Sequence, residues 1–219
     1  MASKKQRYIS PIGTFNYAWI SKPCKWDDKK ERKNGETGGS VVAGEKDLAA
    51  KYSIKVIIDP KTFEDSDFKK QIDDIWGLLQ EEHKGKYDVT IPPYQQDDEG
   101  NYVLFPETKA AFQDKKSGDI RPMHPRLMDC EGKDITDFIK NEDIRVADSS
   151  VGRVYVTTYS GGPYKSSMGR NQGKKVLPMK LDLKVVQFKR LDRSENSGSG
   201  EPIEAGVPVA EEYGEAIQI

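Results

Sequence analysis

Apolar and polar residues alternate with a period of two along several segments of the chain, which is the pattern of β-strands with one buried face. Residues 12–20 are the first such segment, and they are rich in the aromatic residues that favour strands. Phe15, Tyr17 and Trp19 share one face of this predicted strand, and we assign them to the core. In residues 51–59 the alternation places apolar side chains on one face and lysines on the other, and the strand ends at an Asp–Pro step.

Two later segments alternate in the same way. Residues 152–159 form one predicted strand and residues 179–189 another, in which the phase of the pattern changes at Val185 and Val186. Such a change permits a β-bulge, because one extra residue reverses the faces of the residues that follow it. Shorter strands are predicted over residues 87–91 and 102–105.

One helix is predicted after the second strand. Four apolar residues between Phe68 and Leu79 recur at the spacing of one helix face. Asp65 or Ser66 can accept a hydrogen bond from the free backbone N–H groups at its start, and Gly85 can end it.

The remaining segments suggest how the elements are arranged. Residues 21–44 carry six basic residues among several glycines, and we interpret them as a long mobile basic loop. The predicted fold is mainly β, an OB-fold-like five-stranded barrel with one main α-helix and long loops. Residues 1–193 form this predicted domain, and residues 194–219 form a flexible linker and a disordered acidic C-terminal tail.

Known catalytic and metal-binding patterns are missing from the sequence. The two histidines have no zinc-ligand spacing, and there is no glycine-rich phosphate loop or hydrolase motif. The acidic pairs Asp73–Asp74 and Asp97–Asp98 lie on a polar helix face and in a turn, where solvated charge is the simpler interpretation. We therefore expect no catalytic residue, no metal site and no cofactor.

Hydropathy and cysteine usage favour the cytoplasm. No apolar run approaches the roughly 18 residues that a membrane-spanning helix needs. The basic start of the chain is not followed by the apolar core of a signal peptide. Cys24 and Cys130 are far apart and have no metal-binding spacing, which fits a reducing compartment. We expect a cytoplasmic protein with no membrane contact.

Charge is distributed unevenly along the chain. The sequence has 35 Lys and Arg against 36 Asp and Glu, but six of the glutamates lie in residues 194–219, which have no basic residue. The preceding residues are therefore mildly basic, with 35 positive against 30 negative side chains. A basic body with an acidic tail is a charge asymmetry typical of nucleic-acid-binding proteins.

Basic and aromatic residues occur together in two regions, near residue 26 and from residue 153 to residue 175. This combination suits single-stranded nucleic acid, because cations follow the phosphates and flat rings stack on the bases. Tyr155 is predicted to lie on the solvent face of its strand and to stack a base. The predicted DNA-binding residues are Trp26, Lys51, Lys55, Arg153, Tyr155, Tyr159, Tyr164, Lys165, Arg170, Lys174 and Lys175.

The acidic tail ends in apolar residues. An acidic disordered segment with an apolar tip can bind a hydrophobic pocket with a basic rim on a partner protein. Its predicted partner-binding residues are Glu211, Glu212, Glu215, Ile217 and Ile219. Because its charge has the same sign as DNA, the tail can also compete with DNA for the basic body.

Four segments together resemble the single-stranded DNA-binding proteins of tailed bacteriophages, which have an OB-fold and an acidic C-terminal tail. They are GTFNYAW at 13–19 leading to Lys22–Pro23, KYSIKVII at 51–58 before a helix, GRVYVTTYSGG at 152–162, and the tail. Members of that family often end in an aromatic residue, whereas this chain ends in Ile219.

The resemblance implies a non-enzymatic protein that coats single-stranded DNA without sequence specificity during phage replication, recombination and repair. It implies contacts of the tail with the phage DNA polymerase and helicase, in the host cytoplasm, and a homodimer is compatible with it. Two alternatives stay open on the sequence: a phage structural or assembly protein that does not bind DNA, and a metal-dependent nuclease that uses the acidic pairs.

Overall fold

The computed structural model describes residues 6–31, 37–167 and 171–193. Arg170 and residues 194–219, for which the sequence makes predictions, lie outside them. The strands are β1 (Tyr8–Ile9), β2 (Gly13–Glu31), β3 (Thr37–Val42), β4 (Lys51–Ile58), β5 (Val89–Ile91), β6 (Tyr94–Gln96), β7 (Tyr102–Leu104), β8 (Glu107–Lys109), β9 (Ala111–Gln113), β10 (Ile120–Pro122), β11 (Arg126–Met128), β12 (Val151–Ser160), β13 (Tyr164–Lys165) and β14 (Lys175–Arg190). The helices are α1 (Pro60–Glu64), α2 (Asp67–Glu82) and α3 (Thr136–Asn141).

Five of these strands close into a barrel. Going round it, β2 pairs with β4, β4 with β8, β8 with β14, β14 with β12, and β12 pairs back with β2. Every neighbouring pair is antiparallel except β8 and β14, where Glu107 lies beside Asp182 in parallel register. In chain order the ring therefore runs first, second, third, fifth, fourth, which is the order of an OB-fold. The predicted mainly-β, OB-fold-like barrel is confirmed.

Two glycines allow the barrel to close where β2 meets β12. Gly13 and Gly152 are opposite each other in the register. A Cβ atom at Gly152 would lie 2.2 Å from the carbonyl oxygen of Gln187 and 2.8 Å from Cζ of Phe15. A Cβ atom at Gly13 would lie 2.5 Å from the carbonyl oxygen of Ile57. The strands approach each other this closely only because neither residue has a side chain.

The inner faces of the strands and α2 supply the core. On β4, Ile54, Val56 and Ile58 are buried, as their alternation predicts. The predicted helix is confirmed as α2, whose Phe68 and Ile72 are buried in the same cluster. These five buried residues occupy the apolar positions of the sequence pattern and form part of the barrel interior.

The sequence prediction for the start of β2 is wrong beyond Phe15. Phe15 is fully buried, but Tyr17 is 69% exposed and Trp19 is only partly buried. The reason is a bulge, because Asn16 pairs with Lys55 and Trp19 pairs with Ser53, which leaves two β2 residues opposite one residue of β4. Tyr17 lies in this bulge with φ +46°, and its backbone N–H donates a hydrogen bond to Oδ1 of Asp148 at 2.8 Å.

Residues 21–44 are not a long mobile loop. β2 continues through them to Glu31, and its far end pairs with β3 as an antiparallel hairpin from Cys24–Val42 to Asp27–Gly39. The glycines and charged residues of this segment predict a loop, but antiparallel pairing of the backbone across the hairpin holds most of it in two strands. The tip, residues 32–36, is outside the described residues.

The bulge predicted in the last strand is confirmed. In β14, Val185 pairs with Tyr155 and Leu183 pairs with Val156, so Lys184 is left without a partner on β12. The extra residue turns Val185 to the face opposite that of Leu183 and returns Val186 to the core side, and both valines are buried. Val186 faces the barrel core, and Val185 faces a second cluster outside it.

Candidate nucleic-acid interface

The outer face of the barrel runs continuously across β2, β4 and β8. On β4, Lys51, Ser53 and Lys55 alternate with buried residues and are partly exposed, as the sequence predicts. The register places Cys24 of β2 opposite Lys51 on one side and Lys109 of β8 opposite Lys51 on the other. Lys51 therefore lies in the middle of a three-strand surface, and Lys55 lies further along the same face of β4, opposite Asn16 of β2.

Glu107 of β8 lies within this surface and connects it to β12 and β14. The Nζ atoms of Lys51 and Lys180 lie 2.9 Å and 2.8 Å from the same carboxylate oxygen, Oε1. The hydroxyl group of Tyr159 lies 3.5 Å from that oxygen. The carboxylate side chain is 21% exposed, whereas the lysine side chains are 43% and 39% exposed. The positive groups are thus more accessible than the acid that joins them.

The proton equilibria of this cluster follow from its contacts. Burial raises the pKa of Glu107, but the hydrogen bonds and charges of Lys180 and Lys51 outweigh burial and leave its pKa below the usual value. Burial and the negative charge of Glu107 raise the pKa of Tyr159 to about 12. At neutral pH the carboxylate is therefore ionised and the phenol keeps its proton.

Trp26 lies on the β2–β3 hairpin, and its side chain is 59% exposed. Its indole Nε1 donates a hydrogen bond to Oδ1 of Asp28 at 2.7 Å, which fixes the ring orientation. Gly38, with φ +93°, lies against the ring, and a Cβ atom there would be 2.8 Å from Cζ2. The absence of a side chain at Gly38 thus lets the hairpin support a broad exposed aromatic surface.

The loop between β12 and β14 carries the second predicted group. Tyr164 and Lys165 form β13, which pairs with the start of β14 so that Lys165 lies opposite Lys175. Tyr164 is 48% exposed, and Lys165, Lys174 and Lys175 are exposed. The backbone N–H of Lys175 donates to Oδ2 of Asp88 at 2.7 Å, which ties this hairpin to the segment before β5.

Tyr155 is not on the solvent face, contrary to the sequence prediction. It is 5% exposed and packs with Met128 and Val185. Its hydroxyl group donates to Oε1 of Gln187 at 3.0 Å, and Nε of Arg153 donates to the same oxygen at 2.9 Å. The physical reason is that β11 extends the sheet beside β14 and its Met128 side chain packs with Tyr155 and Val185. Alternation along β12 does not show that a side chain from a distant strand packs against its outer side.

Several members of the surface were not among the predicted site residues. Lys180 and Lys109 alternate with buried neighbours, and that pattern is a signal available in the sequence. Glu107 also alternates with a buried neighbour, but its place between Lys51 and Lys180 follows only from the pairing of β8 with both β4 and β14. Tyr17 was assigned to the core because the bulge that exposes it does not interrupt the aromatic pattern.

The acidic pairs have structural contacts. Asp73 accepts hydrogen bonds from Lys69 and Tyr94, and Asp97 accepts them from the backbone of the β6–β7 turn. Within the described ranges, no group of three or more His, Cys, Asp and Glu side chains is arranged to hold a metal ion. Cys24 and Cys130 are free and buried.

No described helix is long and apolar enough to cross a membrane.

No protein-family model matches the sequence, and no curated protein matches it. Solved structures are similar to it. One is gp2.5, a single-stranded DNA-binding protein encoded by bacteriophage T7, with a TM-score of 0.52 and 20% sequence identity over 90% of this chain and 99% of that chain. Another is the single-stranded DNA-binding protein from bacteriophage Enc34, with a TM-score of 0.49 and 15% identity over 89% of this chain and 87% of that chain.

The Enc34 protein in complex with single-stranded DNA is also similar, with a TM-score of 0.48 and 15% identity over 86% of this chain and 88% of that chain. The T7 protein is matched along nearly its whole length, so the likeness covers the barrel together with its added strands and hairpins. The chain therefore shares the fold of a phage single-stranded DNA-binding protein.

Proposed function

We propose that this protein binds single-stranded DNA without sequence specificity. The observation that carries the proposal is the position of the lysines and exposed rings on the barrel. In OB-folds, oligonucleotides bind across the second and third strands, between the loop that joins strands one and two and the loop that joins strands four and five. Here those elements are β4 and β8, the β2–β3 hairpin and the β13 loop, and they hold most of the residues described above.

Phosphate contacts are assigned to lysines on this surface. Lysine is a compact point charge without fixed geometry, so it neutralises a phosphate whatever base is attached. The proposed phosphate-binding residues are Lys51, Lys55, Lys109, Lys165, Lys174, Lys175 and Lys180. Arg170 falls between Lys165 and Lys174 in the sequence and is proposed on that ground alone. Arg153 is left out, because its Nε donates a hydrogen bond to Gln187 and its Cζ atom lies 5.8 Å from the centroid of the Tyr155 ring.

Base contacts are assigned to the exposed rings. Trp26 and Tyr164 lie on the two flanking hairpins, Tyr159 lies between them beside Glu107, and Tyr17 protrudes from β2 next to the Asn16–Lys55 pair. Stacking on a ring accepts every base, which is why it gives affinity without sequence preference. Tyr155 is excluded because it is buried.

The remaining parts of the proposal concern biology and residues 194–219. We propose a non-enzymatic role in phage DNA replication, recombination and repair in the host cytoplasm, with division of the chain at residue 193. The acidic tail would compete with DNA for the lysine surface and would contact the phage polymerase and helicase through its last residues. A homodimer is part of the same proposal.

Titration with oligo-dT tests the central claim. The whole chain should bind oligo-dT with quenching of tryptophan fluorescence. The logarithm of the binding constant should fall by about 0.7 for each tenfold rise in salt and each phosphate neutralised, and this fall is the salt slope. Lys55→Gln should reduce that slope by about 0.7. Lys70→Gln is the matched control, because Lys70 is an exposed lysine on α2 that pairs with Asp67. Equal slopes for the two variants would contradict the proposed surface.

The same experiment separates the other functional classes. A structural or assembly protein predicts no retention of oligo-dT at any salt concentration. A metal-dependent nuclease predicts shortened DNA when magnesium or manganese is added. Intact, bound DNA under both conditions supports the binding protein.

A further inference from the structure

One carboxylate lies among the groups assigned to phosphate. Glu107 accepts hydrogen bonds from Lys51 and Lys180 at 2.9 Å and 2.8 Å, both on Oε1. Tyr159 adds a hydroxyl group 3.5 Å from that atom. Two ammonium groups and a phenol around one anionic oxygen make the same donor set that a DNA phosphate requires. The site is therefore already occupied by an anion of the protein.

These ion pairs make only a small contribution to the stability of the barrel. Backbone pairing holds β8 in place through Glu107–Ser53 on one side and Glu107–Asp182 on the other. Ion pairs between partly exposed groups contribute little to the stability of a fold. The position of this carboxylate between Lys51 and Lys180 therefore bears more on what those lysines can bind than on the stability of the barrel.

We propose that Glu107 is a built-in competitor of the DNA phosphate, which limits the affinity of the surface for single-stranded DNA and speeds its release. This inference rests on the proposed DNA-binding function. When a phosphate reaches Lys51 and Lys180, it must displace them from the carboxylate or share them with it. In either case the negative charge of Glu107 stays beneath the bound phosphate and repels it.

The unequal exposure of the lysines and the carboxylate allows DNA to displace Glu107 in steps. The lysine side chains are about twice as exposed as the carboxylate, at 43% and 39% against 21%, so a phosphate can approach from solvent before the ion pairs break. DNA can then exchange with the carboxylate in steps rather than in one event. Fast exchange of this kind suits a protein that must leave the strand when it is copied or paired.

Substitution of the acid by its neutral isostere tests the inference. Glu107→Gln keeps the shape and one acceptor oxygen but removes the charge. Repulsion between unit charges roughly 6 Å apart corresponds to about a threefold change in affinity when water screens it fully and about a hundredfold change at a protein surface, so we take about tenfold for this partly exposed site. We expect oligo-dT to bind Glu107→Gln about tenfold more tightly than the unmodified chain, mainly through slower dissociation. The salt slope should steepen by about 0.7, because one more lysine charge becomes available.

Glu99→Gln is the matched control. Glu99 is an exposed residue in the β6–β7 turn, where its carboxylate accepts a hydrogen bond from Asn101. It undergoes the same chemical change away from the lysine surface, and its affinity should change less than twofold. Glu107→Asp keeps the charge and shortens the side chain, so its affinity should lie closer to that of the unmodified chain than does the affinity of Glu107→Gln. Thermal melts of each variant establish that it is folded.

A double-mutant cycle tests whether Glu107 acts on DNA affinity through Lys51. Lys51→Gln should cost more affinity in the Glu107→Gln background than in the unmodified chain, because only there is the lysine free of the carboxylate. The inference is overturned if Glu107→Gln binds no more tightly than Glu99→Gln, or if Lys51→Gln costs the same in both backgrounds. Failure of the unmodified chain to bind oligo-dT would overturn the proposed function itself, which is a separate result.

Discussion

Replacement of Tyr17 tests both the strain and the proposed role of the exposed bulge. Tyr17 has φ +46° and its ring is 69% exposed, so its backbone conformation disfavours a side chain while its ring has few contacts to lose. Tyr17→Ala keeps the unfavourable φ, and Tyr17→Gly relieves it. A left-handed residue with a Cβ atom costs about 1–2 kcal/mol, and glycine loses about 0.5–1 kcal/mol of this through its greater freedom in the unfolded chain.

The net difference should therefore be about 1 kcal/mol in the free energy of unfolding. We expect Tyr17→Gly to be more stable than Tyr17→Ala by that amount in urea denaturation, with equal m-values. Both variants lose the ring, so both should bind oligo-dT more weakly by about 1–3 kcal/mol, whereas Tyr17→Phe should bind like the unmodified chain.

The two measurements can fail separately. Equal stability of the Gly and Ala variants would show that φ at this position does not limit the stability of the fold. Unchanged DNA affinity in both variants would show that the ring lies outside the DNA path, even if their stabilities differ as expected.

Three further predictions concern the contact between β2 and β12, the carboxylate of Glu107 and residues 194–219. Gly152→Ala should destabilise the protein by about 3 kcal/mol or more, since its Cβ atom would lie 2.2 Å from the carbonyl oxygen of Gln187. Gly162→Ala, whose Cβ atom would have nothing within 4 Å, should change the free energy of unfolding by less than about 1 kcal/mol. Equal effects of the two substitutions would contradict the close approach of β2 and β12. Folding lowers the pKa of Glu107, so the carboxylate should stabilise the fold above pH 4.5, and this contribution should be lost as the pH falls through the lowered value. The free energy of unfolding of Glu107→Gln, measured in urea across that range, should lack this part of the pH dependence. Removal of residues 194–219 should strengthen binding of oligo-dT, most at low salt where screening is weakest; unchanged or weaker affinity would refute competition by the tail.

The sequence predicts those parts of the fold in which one face of an element is buried and the other is wet. In β4, Tyr52 and Ile54 alternate with Lys51 and Ser53, so the element and its orientation follow directly from the pattern. The same holds for α2, because Ser66 caps it and its apolar residues recur at helical spacing. Local patterns of this kind depend on neighbours in the sequence.

Three features depend on distant residues and were not predictable. Tyr155 is buried because Met128 of β11 packs against it, and the path of β11 is not encoded near residue 155. Tyr17 is exposed because β2 has two residues where β4 has one. Glu107 meets Lys180 because the third and fifth barrel strands pair in parallel, a contact between residues far apart along the chain. The candidate site thus followed from the sequence in its lysines but not in its central acid.

The continuity of β2 has a consequence for the kinetics of binding. A single strand from Gly13 to Glu31 forms both a strand of the barrel and one arm of the hairpin, so the pairing of β2 with β3 and β4 positions Trp26 relative to Lys51 without any ligand. A flexible arm would have to be ordered on contact, at a cost of about 0.5–1.5 kcal/mol for each side chain immobilised. Preorganisation removes that cost from the encounter step, and it leaves the association rate to diffusion and electrostatic attraction.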